Sequence, residues 1–186
     1  MHYRKLTEKD LLIYLSDINS CYDTNTLVFD SQNYLKNLDK EWFINTYLES
    51  PDSLIIGIFD DNEDYLYGLV ILDNIRFANK SCAQVHIIND KSIFGHKVRD
   101  IYKDIIQSCG IDTLYAEIPA IAVHAIAMCK RLGFKKTGYI PQCLPYVNSK
   151  GVEQMYDVQI WSLIKWYTEI FPYGNIWVQC YLLTKK

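Results

Sequence analysis

His86 is the side chain best placed by type to take up a proton near neutral pH, because imidazole is the ordinary side chain that titrates there. It stands in an apolar run from Ser81 to Ile88, where period-two alternation puts Gln84, His86 and Ile88 on one face of a strand. His124, near the start of an Ala- and Ile-rich segment, is a second titrating candidate, and Glu117, just ahead of Pro119, is a third. Each also has a plainer reading: a histidine held in a structural hydrogen bond, or a strand-end acid in water. The six cysteines (Cys21, Cys82, Cys109, Cys129, Cys143 and Cys180) lie far apart, with no C-x-x-C pair and no histidine at ligand spacing. That spacing supports neither zinc nor a thioredoxin-like motif, so no metal is expected. With no export signal in view, the thiols read as reduced groups, mostly small buried apolar ones.

Positioning such groups requires a packed domain, and the chain is long enough for one. Its 186 residues, with 49% hydrophobic and 22% charged, match an ordinary globular domain. A net charge of -3 spread over the whole length gives no basic field to hold a phosphate backbone, so nucleic acid is not an expected partner. The start at Met1-His2-Tyr3-Arg4-Lys5 has no apolar core behind its basic residues, and no stretch reaches the ~18 apolar residues of a membrane span. A soluble, cytoplasmic protein with no membrane partner is the expectation.

The elements follow from pattern. His2 to Leu6 is a short strand, and Thr7 with Asp10 three residues on forms a start signal for a helix that Asn19-Ser20 is expected to end. Tyr34, Leu35, Leu38, Trp42, Phe43 and Tyr47 recur at helical spacing over roughly 32–48. Leu54 to Phe59 and Tyr65 to Leu72 form a hairpin about a polar turn, and Ser81 to Ile88 is a third strand. Strand and helix then alternate, which signals parallel crossovers. A helix carrying Phe94, Val98, Ile101, Tyr102 and Ile105 is closed by Gly110. A strand runs from Ile111 to Ile118, and a helix apolar almost all round from Ala120 to Leu132 is capped by Gly133. Phe134 to Ile140 begins a strand, Pro141 to Gly151 reads as a surface loop, and Tyr156 to Ile160 alternate as a half-buried strand. An aromatic tail follows, with Trp166, Tyr167, Phe171, Tyr173, Trp177 and Tyr181.

This order, with the segment from Tyr115 to Gly138, resembles the GNAT acetyltransferases. Ala125, Leu132, Gly133, Phe134 and Gly138 carry the local likeness: a helix ending in a leucine-glycine-phenylalanine step, then a strand with glycine. The resemblance covers residues 1–163 by architecture and 82–140 by local pattern. It implies an α/β (α+β) fold: a mixed, mostly antiparallel sheet with splayed central parallel strands, flanked by helices. Residues 1–163 would be the acyltransferase domain, and 164–186 a helix-strand extension packed on it.

The resemblance further implies acetyl-CoA as co-substrate, lying in a wedge between the splayed strands. Backbone at Ile87, Ile88 and Asn89 would follow the pantetheine arm. The helix start at Ser92, with Phe94, Gly95, His96 and Lys97, would hold the diphosphate through unpaired amides and the helix dipole. Lys91, Lys97 and Arg99 would add point charges. The loop departs from the family pattern: Asp90 stands where a cation or amide is usual, and Ile93 replaces a glycine. Cys129 occupies the place of a family tyrosine that protonates the departing thiolate, and Ala122 that of a helix-opening asparagine. Cys129 is thus either an acid or a core residue. His86 is the expected base, with Glu117 close to the wedge. The function implied is transfer of an acetyl group from acetyl-CoA to a primary amine, on a small molecule or a protein. The alternative is an inactive GNAT-fold module, such as a bacteriophage virion or host-interaction protein, contacting a protein partner through the aromatic tail.

Overall fold

The computed structural model describes residues 1–24, 40–75, 82–89, 96–147 and 152–165. Along the chain they form β1 (His2–Lys5), α1 (Glu8–Thr24), α2 (Lys40–Phe43) continuing as a π-helical turn (Ile44–Leu48), β2 (Leu54–Phe59), β3 (Leu66–Asp73) and β4 (Cys82–Asn89). Then come α3 (His96–Ser108), β5 (Thr113–Pro119), α4 (Val123–Leu132), β6 (Lys135–Val147) and β7 (Glu153–Ile164). The strands make one seven-stranded sheet in the order β1-β2-β3-β4-β5-β7-β6. Only β4 and β5 run parallel, and every other neighbouring pair is antiparallel. This is the mixed, mostly antiparallel sheet with a central parallel pair that the resemblance implies.

Alternation sorts the strand side chains into two cores. On one face Val70, Leu72, Ala83, Val85, Leu114, Ala116 and Ile118 pack with Tyr102, Ile105 and Ile106 of α3 and with Cys129 and Leu132 of α4. On the other, Leu69, Ile71 and Ile88 pack with Leu11, Tyr14 and Ile18 of α1 and with Phe43 and Tyr47. Burying apolar surface on both faces is what fixes the register, since a one-residue slip would turn every strand inside out. No helix among the described residues is long and apolar enough to cross a membrane.

Helix ends follow the local chemistry. The backbone N–H and hydroxyl of Thr7 both donate to Asp10 Oδ2 (2.7 and 2.6 Å), and the Asp10 amide points back at Thr7 Oγ1 (3.4 Å). Gly133 ends α4 at φ 94°, letting the Phe134 amide reach the Cys129 carbonyl at 3.0 Å, a left-handed close that glycine adopts without a Cβ penalty. Gly110 does the same beyond α3 at φ 72°.

Three expectations are corrected. α1 does not stop at Asn19-Ser20 but runs to Thr24, with a local kink at Tyr14; small polar residues lower helix propensity without breaking a helix that packs on a sheet. The α4 segment begins at Val123 rather than Ala120 and is not buried all round, since Val123 is 63% exposed and Cys129 and Leu132 are its buried residues. Its alanines are compatible with either environment, so apolar composition alone did not locate its buried side. The stretch from Pro141 is not a loop: β6 continues to Val147, paired with β7, across a register shift between Ile140 and Leu144 and a positive φ of 44° at Gln142. Among the described residues β6 is the outermost strand, where a missing proline N–H costs no ladder bond. Of the four cysteines whose side chains are described, only Cys129 is buried; Cys82 and Cys109 are intermediate and Cys143 is exposed. The aromatic tail beyond 165 lies outside the described residues.

Candidate active site

The site is built where β4 and β5 part. These strands pair over only three rungs, Cys82 with Thr113, Ala83 with Leu114 and Gln84 with Tyr115. β4 nevertheless runs on to Asn89 and β5 to Pro119. Each stays bonded on its outer side: β4 to β3 as far as Asn89, and β5 to β7 as far as Pro119. Past the third rung the two strands therefore diverge, and alternate residues on each lip aim backbone N–H and C=O groups into the opening. Among the described residues no ladder partner meets them. Backbone polar groups left unpaired in the middle of a sheet call for an occupant or solvent.

The last rung is closed from above by a side-chain bridge in which the Tyr115 hydroxyl donates to Gln84 Oε1 at 3.4 Å. One step further along the same face, on the α1 side, stand His86 on the β4 lip and Glu117 on the β5 lip. Both lie two residues beyond the Gln84–Tyr115 rung. Glu117 faces Ile160 of β7 in the ladder and is partly buried. His86 is opposite Ile71, and its ring leans diagonally toward the end of β3, bringing Nε2 to 3.4 Å from Asp73 Oδ2. The spacing is within ion-pair reach but is not aligned as a hydrogen bond, and Nε2 is buried with no hydrogen-bond partner among the described residues.

The other expected positions divide. Ile87 packs partly against the α3 and α4 core and Ile88 is buried in the α1 core, so both contribute backbone, not side chain, to the lip. Asn89 ends β4, five residues beyond the last rung shared with β5. His96 and Lys97 open α3, for which the backbone is described. Lys91, Phe94 and Gly95 lie outside the described residues, as do Asp90, Ser92 and Ile93. His124 lies exposed in the first turn of α4, on a different element from the rung. Cys129 is buried beside Leu132, and burial pushes its thiol up to about 12, so it holds its proton firmly at neutral pH. Asp73 and Tyr115 are residues that sequence reading missed. Counting back along β3 from its antiparallel register with β4 would have found Asp73, since that register places it opposite Gln84.

A central parallel pair that opens after three rungs, with a helix following the first strand, is the arrangement expected of an acyl-CoA wedge. Residues 4–151 match the acetyltransferase (GNAT) domain family. The chain belongs to the GNAT acetyltransferase family. The GNAT fold is also seen in its structural neighbours. Spermidine N-acetyltransferase from Vibrio cholerae, in complex with CoA and spermine, superposes with a TM-score of 0.68 at 16% identity, covering 88% of this chain and 94% of that one. Ribosomal-protein-alanine N-acetyltransferase from Brucella melitensis superposes with a TM-score of 0.65 at 17% identity, covering 88% and 99%. At such identities the likeness shows the fold alone. No curated protein matches the sequence. Within the GNAT frame the residues present fit an acyl-CoA: the divergent backbone from Val85 to Asn89 offers unladdered amides and carbonyls to an amide-rich arm, and α3 is the next described element along the chain.

Proposed function

We propose that this GNAT protein is an acyl-CoA-dependent N-acetyltransferase that delivers an acetyl group to a primary amine. The observation that carries the reading is the loss of β4–β5 pairing after Gln84 and Tyr115, with two proton-accepting side chains, His86 and Glu117, one on each lip. Acetyl-CoA supplies the thioester carbonyl that the amine attacks. Ile87, Ile88 and Asn89 hold the arm by backbone contacts, and Phe94, Gly95, His96 and Lys97, with Lys91, hold the diphosphate. A backbone N–H on the β4 lip polarises the carbonyl.

The amine arrives as an ammonium ion and must lose a proton before its lone pair can form the C–N bond. His86 accepts that proton, and Glu117, on the opposite lip, holds the cationic acceptor or relays the proton. The C–S bond then breaks, the sulfur leaves with its electron pair and takes up the second proton that the nitrogen sheds as the amide forms, and the products are the amide and the free thiol. Cys129 belongs to the packing under this scheme, since a thiol that ionises at about 12 gives up its proton less readily than the thiol being formed. Two carboxylates, Asp73 and Glu117, on the α1 face of the opening favour a cationic acceptor over an acidic one.

Titration with acetyl-CoA tests the reading. A saturable heat and a thermal upshift at millimolar ligand are expected, as is release of free thiol in the presence of one member of an amine panel that includes spermidine and a peptide with an amino-terminal alanine. Replacing Gly95 with Glu should abolish binding while leaving the melting curve nearly intact. No heat and no upshift would remove the enzyme reading and favour a module that keeps the fold without the chemistry, such as a virion or host-interaction protein.

A further inference from the structure

The structure assigns Asp73 a role beside the wedge: we infer that it is a positioning residue, whose carboxylate fixes the ring and tautomer of His86 so that Nε2 carries the hydrogen and Nδ1 presents its lone pair. The inference rests on the reading of His86 as the proton acceptor. Asp73 is the final residue of β3, opposite Gln84 and therefore one diagonal step from His86 on the same face of the sheet. Its Oδ1 accepts a hydrogen bond from Asn74 Nδ2 at 3.0 Å. Oδ2 lies 3.4 Å from His86 Nε2.

Two observations make this more than a chance approach. Nε2 is buried and has no other partner among the described residues, so an N–H there has one acceptor within reach and a bare lone pair there would face a carboxylate. Both considerations select the Nε2–H tautomer. The His86 side chain is 22% exposed as a whole. Because Nε2 is buried, that exposure falls on the rest of the side chain, leaving Nδ1 as the ring nitrogen not committed to Asp73. The separation exceeds the ~2.7–2.9 Å of a charge-assisted bond. Catalytic contacts that are long without substrate commonly tighten in the substrate complex. Among the described strand residues, the polar side chains on the same face of the sheet beside His86 are Asp73 of β3, Gln84 of β4, and Tyr115 and Glu117 of β5. Tyr115 and Gln84 are joined to each other, and Asp73 brings a carboxylate within ion-pair reach of the imidazole.

The test uses the full chain and the variants Asp73→Asn, Asp73→Glu and His86→Gln. Long-range nitrogen–proton correlation spectra report the tautomer directly and need no acceptor. The wild type is expected to show His86 as the Nε2–H form, Asp73→Glu to keep it, and Asp73→Asn to shift it toward Nδ1–H or a mixture. With the best amine of the panel, Asp73→Asn should lower kcat on the order of tenfold, with KM for acetyl-CoA within about twofold. Asp73→Glu should recover part of the loss. In a His86→Gln background the same replacement should cost nothing further. An unchanged tautomer in Asp73→Asn, or an equal loss of kcat in the His86→Gln background, overturns the assignment. If the wild type turns over no amine, the transferase reading fails separately, and the tautomer measurement still decides whether Asp73 orients the ring.

Discussion

Cys129 and Cys143 differ in surroundings more than in chemistry. Cys129 of α4 is 7% exposed, and burial raises its thiol to about 12, whereas Cys143 is exposed on β6. Alkylation by iodoacetamide at pH 7.5 should therefore mark Cys143 and spare Cys129 in the folded protein, as read by peptide mass mapping. Cys129→Ala should cost about 1 kcal/mol of stability and leave the turnover of any accepted amine near the wild-type rate; a large fall in kcat would restore the thiol as an acid. His86 was legible as a candidate because its type and its strand alternation are local properties. Asp73 was not, because a diagonal neighbour across an antiparallel pair depends on register, which is set by the packing of two cores rather than by any short motif. The bridge from Tyr115 to Gln84 was hidden for the same reason: it spans 31 residues of sequence.

At the scale of elements, the parting of β4 and β5 makes a prediction about exchange. Amides on alternate residues from Val85 to Asn89 that face the opening should exchange with solvent far faster than those bonded to β3, and saturating acetyl-CoA should slow the first set alone. Equal protection of both sets without ligand would show that the strands do not part. The close of α4 makes another. A Cβ on Gly133 would meet Leu163 Cδ1 at an ordinary 3.7 Å, so Gly133→Ala pays only for φ 94°, roughly 1 kcal/mol or about 3 °C in Tm. The order of strands and helices, the Gly133 and Gly110 ends and the Thr7–Asp10 start were legible because period, cap and turn chemistry are written locally. The continuation of β6 through Pro141 and Pro145 was not, since proline's meaning in a strand depends on whether that strand has a neighbour on both sides. That β6 is outermost follows from β7 inserting between it and β5, a fact of topology.

Across the whole molecule, the amino-terminal strand is tied to the β2–β3 turn and to α1 by one guanidinium. Arg4 donates to Asp10 Oδ2 and Oδ1 (both 2.8 Å) and to Glu63 Oε2 (2.9 Å), while its Cζ lies 4.3 Å over the Phe59 ring. The hydrogen bond from Arg4 lowers the Asp10 carboxyl to about 2, against the opposing effect of burial, and the bonds from Thr7 add to the lowering. A carboxylate whose folded value lies below its unfolded one contributes stability that is present above the unfolded value and lost as pH falls through the folded one. Denaturant midpoints should accordingly hold down to about pH 4 and fall as pH drops toward about 2. Asp10→Asn should flatten that fall and remove about 2 kcal/mol at neutral pH. Arg4→Ala should be at least as costly, because it strands a buried carboxylate.

The two prolines of β6 bear on how copies of the protein meet one another. A bare sheet margin presents a row of donors and acceptors on which a further chain can stack, the first step toward fibrous aggregates. Here that margin lacks two donors, at Pro141 and Pro145, and is dislocated between them by the register shift after Ile140. Although Tyr139 and Ile140 leave apolar surface open beside it, an incoming strand would find its hydrogen-bond template interrupted by the same residues that hide β6 from a reader of the sequence.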